Sequence, residues 1–201
     1  MSEFQRWEAR YAERGYLFGT EPNAFLKSKA HLLRSGQKAL SVADGEGRNG
    51  VFLAECGLDV LAIDISPTGL AKAWALAKER GVTLRTEQTD VATWSWPAER
   101  FDVVVAIFWQ FCRPEVRARI FANIKRTLKP GGLLLMQGYR PEQIKYKTGG
   151  PPHVDQLYTR ALLEEAFADF SALEIEEHDS VLHEGTHHIG MAALIDLVGR
   201  K

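Results

Sequence analysis

The stretch "KALSVADGEGRNG" (residues 38–50) decides the fold. Its first part, "KALSVA" (38–43), reads as a short apolar strand. Its second part, "DGEGRNG" (44–50), ends in the pattern G-x-G-x-x-G. The overlapping segment "RNGVFLAEC" (48–56) reads as a helix that stops at Gly57. A strand, a glycine turn and a helix in that order bring backbone N–H groups and a helix N-terminus to one ligand-binding edge.

Outward from that turn the chain alternates. "DVLAID" (59–64) is a second strand. Ser66 and Pro67 make an N-cap and first-turn pair, and Leu70, Ala73, Trp74 and Ala77 recur at helical spacing until Gly81. "VTLRTEQ" (82–88) is a weaker third strand, and "FDVVVAIF" (101–108) is an unbroken apolar run that suits a strand covered on both faces. Pro114 opens a helix with Val116, Ile120, Ile124 and Leu128 on one side; "KPGG" (129–132) ends it and "LLLMQ" (133–137) is a fifth strand. "TRALLEEAF" (159–167) is helical. "ALEIEEHDSVL" (172–182) and "HIGMAALIDLVG" (188–199) are strands whose short connection around "HEGT" requires an antiparallel hairpin. The expected fold is therefore α/β: a doubly wound, mostly parallel, seven-stranded sheet that finishes in an antiparallel hairpin. If the hairpin's first strand runs parallel to the others, its turn lies at their C-terminal edge, where ligands bind in such sheets.

Composition bounds the rest. The chain has 201 residues, 45% hydrophobic and 25% charged, with a formal net charge of −1. That length suits one domain, 1–201, with residues 1–35 as an N-terminal helical lid. The charge balance argues against a nucleic-acid binder that works through bulk charge. The opening "MSEFQRWEAR" lacks an apolar core of a signal peptide, and no apolar run approaches membrane-spanning length, so a cytoplasmic protein is expected. Cys56 and Cys112 are far apart and fit no zinc or redox spacing, and no metal is expected.

Two acids, Asp44 and Glu46, stand inside the glycine turn. A diphosphate bound there would meet like charge, at a cost on the order of 3 kcal/mol per pair at ~5 Å and an effective dielectric near 20. The reading favours a ligand that is neutral or cationic at this point, such as the sulfonium S-adenosylmethionine (SAM). Asp64 at the end of the second strand suits both ribose hydroxyls, and Asp90 after the third strand, in "TDV", suits an adenine amino group, with the Val91 N–H on a ring nitrogen. Each has a bland alternative: Asp64 as a helix cap, Asp90 as a turn residue, Glu46 as solvated loop charge.

In "LSVADGEGRNGVFLA", "VLAIDIS", "TDV", "FDVVVAIF" and "LKPGGLLLMQGY", with the terminal hairpin, the chain resembles the class I SAM-dependent methyltransferases over nearly its whole length. "WEARY…YLFGTEPNAFL", "GEGRN", "PEQIKYKTGGPP" and "EGTHHIGMAALI" are similar to a small bacterial subgroup related to tellurite-resistance methyltransferases. The resemblance implies SAM as cofactor and S-adenosylhomocysteine as product. It implies a cofactor site of Asp44, Gly45, Glu46, Gly47, Arg48, Asn49, Asp64, Ile65, Asp90, Val91 and Ile107. Ser41 stands where the family usually has an acid and Ala43 where it has its first glycine, leaving Asp44 as the substitute contact for the methionine ammonium; Gln137 replaces a Glu frequent in the subgroup.

The acceptor side is expected at the C-terminal ends of the strands: Phe108, Trp109, Gln110 and Phe111, then Tyr139 and Arg140, then His183, Glu184, His187 and His188 from the hairpin turn. His187, Tyr139 and Glu184 are the catalytic candidates. The N-terminal Trp7, Arg10, Tyr11 and Tyr16 belong to the lid, with Arg10 or Tyr11 as the expected partner of the methionine carboxylate and Arg48 as the rival. The expected function is methyl transfer to a small molecule (a thiol, a tellurium or selenium oxyanion, an amine or a hydroxyl) by a monomer or homodimer that engages neither nucleic acid nor membrane. A SAM-binding protein without turnover and a small NAD(P)-linked oxidoreductase are the alternatives.

Overall fold

The computed structural model describes residues 2–201. Seven strands, β1 (Lys38–Val42), β2 (Asp59–Asp64), β3 (Arg85–Gln88), β4 (Phe101–Ile107), β5 (Leu128–Tyr139), β6 (Ala172–Glu184) and β7 (His188–Arg200), form one sheet in the order β3-β2-β1-β4-β5-β7-β6. Pairs β1/β2, β2/β3 and β4/β5 are parallel, and β5/β7 is antiparallel. Among the described residues seven α-helices accompany them: α1 (Glu3–Tyr11), α2 (Ala24–Ser28), α3 (Arg48–Glu55), α4 (Pro67–Glu79), α5 (Pro114–Thr127), α6 (Gln143–Tyr146) and α7 (Arg160–Ala166). This is the mostly parallel α/β sheet with a hairpin end that the alternation of patterns demands.

The chain divides into two compact units. The first runs to Trp94 and includes the hairpin tip Glu184–His187; the second holds Ser95–His183 and His188–Lys201. In the first, β1 and β2 are buried along almost their full length, whereas β3 is an exposed edge of only four residues. Residues 82–84, expected to open that strand, fall outside the ladder. In the second, β4, β5 and β7 supply a core in which Val103, Val104, Leu133, Leu134, Leu135, Ala193 and Leu197 are sealed from solvent.

Local signals set the helices. Ser66 caps α4 by accepting from the Gly69 N–H, with Pro67 in the first turn. Leu70, Ala73 and Ala77 are buried as the spacing predicts, but Trp74 is 58% exposed and Leu76 takes its place inside. The reason is a close approach: a Cβ on Gly47 would overlap Ala73, so α4 lies too near the turn for an indole beside it. Trp74 instead carries the Lys78 ammonium over its ring at 5.5 Å. In α5, Ile120 and Ile124 are buried as expected, Val116 is half-buried, and Leu128 opens β5 rather than closing the helix. The "KPGG" segment lies within β5. Among the described residues no helix is long and apolar enough to cross a membrane.

Candidate functional site

The glycine turn of the first unit is held by the side chains inside it. Ala43, Gly45 and Gly47 all have positive φ, at 50°, 58° and 90°, so the chain reverses sharply between β1 and α3. Asp44 points under the helix. Its carboxylate accepts from Ser41 Oγ at 2.6 Å and from the Gly50 N–H at 3.0 Å. Burial pushes this acid up to about 7, against those hydrogen bonds and with a further push from Asp64. A Cβ on Gly50 would overlap that carboxylate, which accounts for the glycine there.

Glu46 is 4% exposed and spends both oxygens within the fold, accepting the Leu17 N–H at 2.6 Å and pairing with Lys72 Nζ at 2.8 Å. Lys72 also donates to the Glu13 and Gly15 carbonyls. The charge-sign argument against a diphosphate therefore does not follow from this geometry: one acid is neutralised by a lysine, the other is held near neutrality beneath α3. Sequence spacing could not reveal Lys72, 26 positions further on.

Asp64 sits at the end of β2, 5% exposed, accepting the Gly45 N–H on Oδ2 and the Ser66 N–H on Oδ1, both at 2.9 Å. Burial raises it to about 6, against its backbone hydrogen bonds. Its remaining acceptor capacity, beyond these bonds and one from the Ile65 backbone, is open to a ligand hydroxyl. Ile65 is half-buried next to it. Asp90 is exposed and accepts the Ala92 N–H at 2.8 Å, so it builds its own turn, and Val91 is buried behind it.

The N-terminal segment lies over this turn. Glu8 takes hydrogen bonds from the hydroxyls of Ser66 and Thr68 at the start of α4. Burial works to raise the Glu8 carboxyl, but these bonds outweigh it and leave it below its ordinary value. Tyr11 is 5% exposed, and its hydroxyl occupies the space a Cβ on Gly45 would need. Burial, then the charges of Asp64 and Glu46, raise that phenol far above its usual range. Trp7 stacks on Tyr11 at 5.4 Å. The Arg10 guanidinium lies over Trp7 at 4.8 Å and faces Phe18 at 5.8 Å, with no carboxylate in ion-pair reach among the described residues. Trp7 Nε1 is buried and unpartnered.

Arg48 and Glu184 turn out to be partners. They form an ion pair of 2.9 Å with both side chains at or below 10% exposure. Asn23 Nδ2 also donates to Glu184, and Arg48 donates to the Phe18 carbonyl. Asn49 accepts the Asn23 N–H at 3.0 Å. Gly185 follows with φ 61°, packed so tightly on Leu17 and Gly19 that a Cβ would overlap their backbone. Arg48, Asn49 and Glu184 thus pin the hairpin tip to residues 17–23. His187 is exposed, bonded to Thr186 at 2.9 Å and edge-on to Phe18.

The second unit holds the other candidates. Phe108, just past Ile107 at the end of β4, has φ 53°, a conformation that costs energy outside glycine. Its ring stacks on Tyr139 at 4.7 Å and meets the edge of His188 at 4.8 Å. Gln110 fastens the region by accepting the Tyr139 N–H at 2.5 Å and donating to the Tyr139 carbonyl at 2.9 Å. Gln137 and Asp196 share a hydrogen bond of 2.6 Å, and Asp196 pairs with His178 at 3.2 Å. Arg140 is taken up by Asp179 and the Leu194 carbonyl. His183 is exposed, and among the described residues no His, Cys, Asp and Glu cluster is arranged to hold a metal.

Comparison with known proteins bears on the fold and the domain type. Residues 39–132 match the family model described as a methyltransferase domain. A glycine/sarcosine N-methyltransferase from Halorhodospira halochloris is 29% identical over 171 residues, 74% of this chain and 59% of that protein. The chain spans only about a third to three-fifths of the length of the curated relatives it matches. TehB from Haemophilus influenzae shares the fold with a TM-score of 0.73 at 20% identity, over 97% of this chain and 65% of that one. A structure from work on the conversion of a disulfide bond into a thioacetal group during echinomycin biosynthesis gives 0.74 at 17% identity, over 99% and 91%.

Proposed function

We propose that this chain, a class I SAM-dependent methyltransferase by domain and fold, transfers the methyl group of SAM to a small-molecule nucleophile. The observation that carries the cofactor half is the unsatisfied donor set beside the turn. The Arg10 guanidinium, lacking a carboxylate partner among the described residues, and the orphaned Trp7 Nε1–H suit the carboxylate of an amino acid moiety. Asp64 suits the ribose hydroxyls, Asp90 and Val91 the adenine edge, and the Gly45–Gly47 backbone the space between. Asp44, Glu46, Arg48 and Asn49 support that site by holding the turn rather than by touching the ligand.

Bound SAM supplies an electrophilic methyl group on a sulfonium. The protein's task is to align a nucleophile in line with that group and to keep water out, which contributes several kcal/mol by alignment alone. Phe108, Tyr139 and His188 form the acceptor face in this reading. The two stacked rings give a rigid apolar wall, and His188, edge-on to Phe108, is the proposed base for an amine or hydroxyl acceptor. His187 and Glu184 fit that role less well, because the first leans on Thr186 and the second is tied to Arg48. A thiol or an oxyanion acceptor needs no base.

Calorimetry with SAM, S-adenosylhomocysteine and NADH tests the cofactor. Wild type binds the first two, and Arg10→Gln weakens SAM about tenfold, the worth of one charge-assisted contact. Labelled methyl transfer to a panel of thiols, oxyanions and amines, glycine and sarcosine included, tests the reaction. Tight NADH binding with no response to SAM would overturn the proposal.

A further inference from the structure

We infer that the second unit contains a buried binding site for a small monoanion at the N-terminus of α5. Four observations motivate it. Arg117, in the first turns of α5, is only 9% exposed, yet no carboxylate among the described residues lies within ion-pair distance of it. Its guanidinium is held by a hydrogen bond from Nη1 to the Asp155 carbonyl at 2.5 Å. The α5 N-terminus has no side-chain cap, since its N-cap position is Arg113 and its first turn begins with Pro114. Tyr158, fully sealed from solvent, has a hydroxyl without a partner. Trp109, 1% exposed, has an indole N–H without one.

The two orphan donors share one neighbourhood. Trp109 and Tyr158 rings lie 6.2 Å apart, and both pack on Phe121, at 5.7 and 5.8 Å. Phe121 stands one helical turn after Arg117 on the same face of α5. Tyr158 follows three residues after Asp155, whose carbonyl holds the Arg117 guanidinium, so the cation and the orphan hydroxyl belong to the same short stretch of the unit. Gly138 makes this placement possible, because a Cβ there would overlap the Tyr158 ring.

Charge decides what fits. A neutral water would satisfy the two orphan hydrogens but leave a buried guanidinium uncompensated beside a positive helix terminus. An anion answers all of these at once, as it accepts from O–H, N–H and backbone donors and offsets the cation. With the rings 5.7 to 6.2 Å apart, the inference takes the smallest ligand of the required charge, a halide-sized monoanion. Its occupancy braces Trp109–Cys112, the segment that follows Phe108. The anion site does not depend on the methyl-transfer reading.

The test titrates the intact protein with sodium bromide against sodium gluconate at constant ionic strength, following the thermal midpoint. Wild type shows a saturable rise of about 3 °C with bromide and none with gluconate. Tyr158→Phe removes only the hydroxyl and Arg117→Met the charge while keeping the stem; each weakens the apparent bromide affinity at least tenfold. Tyr158→Phe keeps the experiment decisive should Arg117→Met fail to fold. Crystals grown in bromide show an anomalous peak in contact with Tyr158 Oη and Trp109 Nε1. Equal responses to the two salts, or water density at that spot in bromide crystals, would overturn the inference.

Discussion

Asp44 gives the protein a pH dependence of stability opposite to that of an ordinary surface carboxylate. Its ordinary value is 3.8 and its folded value about 7, because burial disfavours the charged form more than Ser41 and Gly50 stabilise it. Between those limits the native state keeps a proton that the unfolded chain has released. The stability tied to this group is complete below pH 3.8, declines as pH rises through the window, and is gone above about pH 7. The difference of roughly 3 units at 1.36 kcal/mol each makes the loss about 4 kcal/mol. Asp64, raised to about 6, has the same sign with about 3 kcal/mol. Asp44→Asn isolates the first group: the amide keeps an acceptor for Gly50 and never ionises. Urea unfolding followed by tryptophan fluorescence from pH 4 to 8 gives the free energies. Wild type falls relative to the variant by about 4 kcal/mol over that range, and at pH 8 the variant is the more stable protein. Parallel curves for the two proteins, or a variant less stable at pH 8 than wild type, would refute the account of a carboxyl held protonated beneath α3.

Lys72→Met leaves Glu46 buried without its cation and costs about 3 kcal/mol of stability in the same urea assay, whereas Lys72→Met combined with Glu46→Gln recovers most of that loss. Gly45→Ala puts a methyl group where the Tyr11 hydroxyl lies and forces a left-handed φ of 58° on alanine; calorimetry should find SAM affinity reduced more than tenfold, with the domain still folded.

The alternation of patterns was enough for the architecture. "KALSVA", "DVLAID" and "FDVVVAIF" are apolar runs too continuous for solvent-facing strands, and the few residues between the last two strands permit only an antiparallel return. Ser66-Pro67 placed the start of α4 because capping is chemistry between near neighbours. Trp74 was read as core from the same periodicity and is exposed, since spacing gives a side chain's direction but not the room at its end. Gly47 against Ala73 set that room.

The site divides along the same line. Glycines at a reversal, an acid at the end of β2 and aromatic residues after β4 could be located from residue type and position, because each belongs to a local conformation. The partners of the charged residues could not. Lys72 meets Glu46, Glu8 meets Ser66 and Thr68, and Arg48 meets Glu184 across 136 positions, so these acids have partners within the turn, the N-terminal segment and the hairpin tip that spacing could not reveal. Backbone geometry is legible in residue order because the steric and hydrogen-bonding rules behind it act over a few residues. The charge a ligand meets depends on which distant side chains share a buried volume, and only the folded chain determines that.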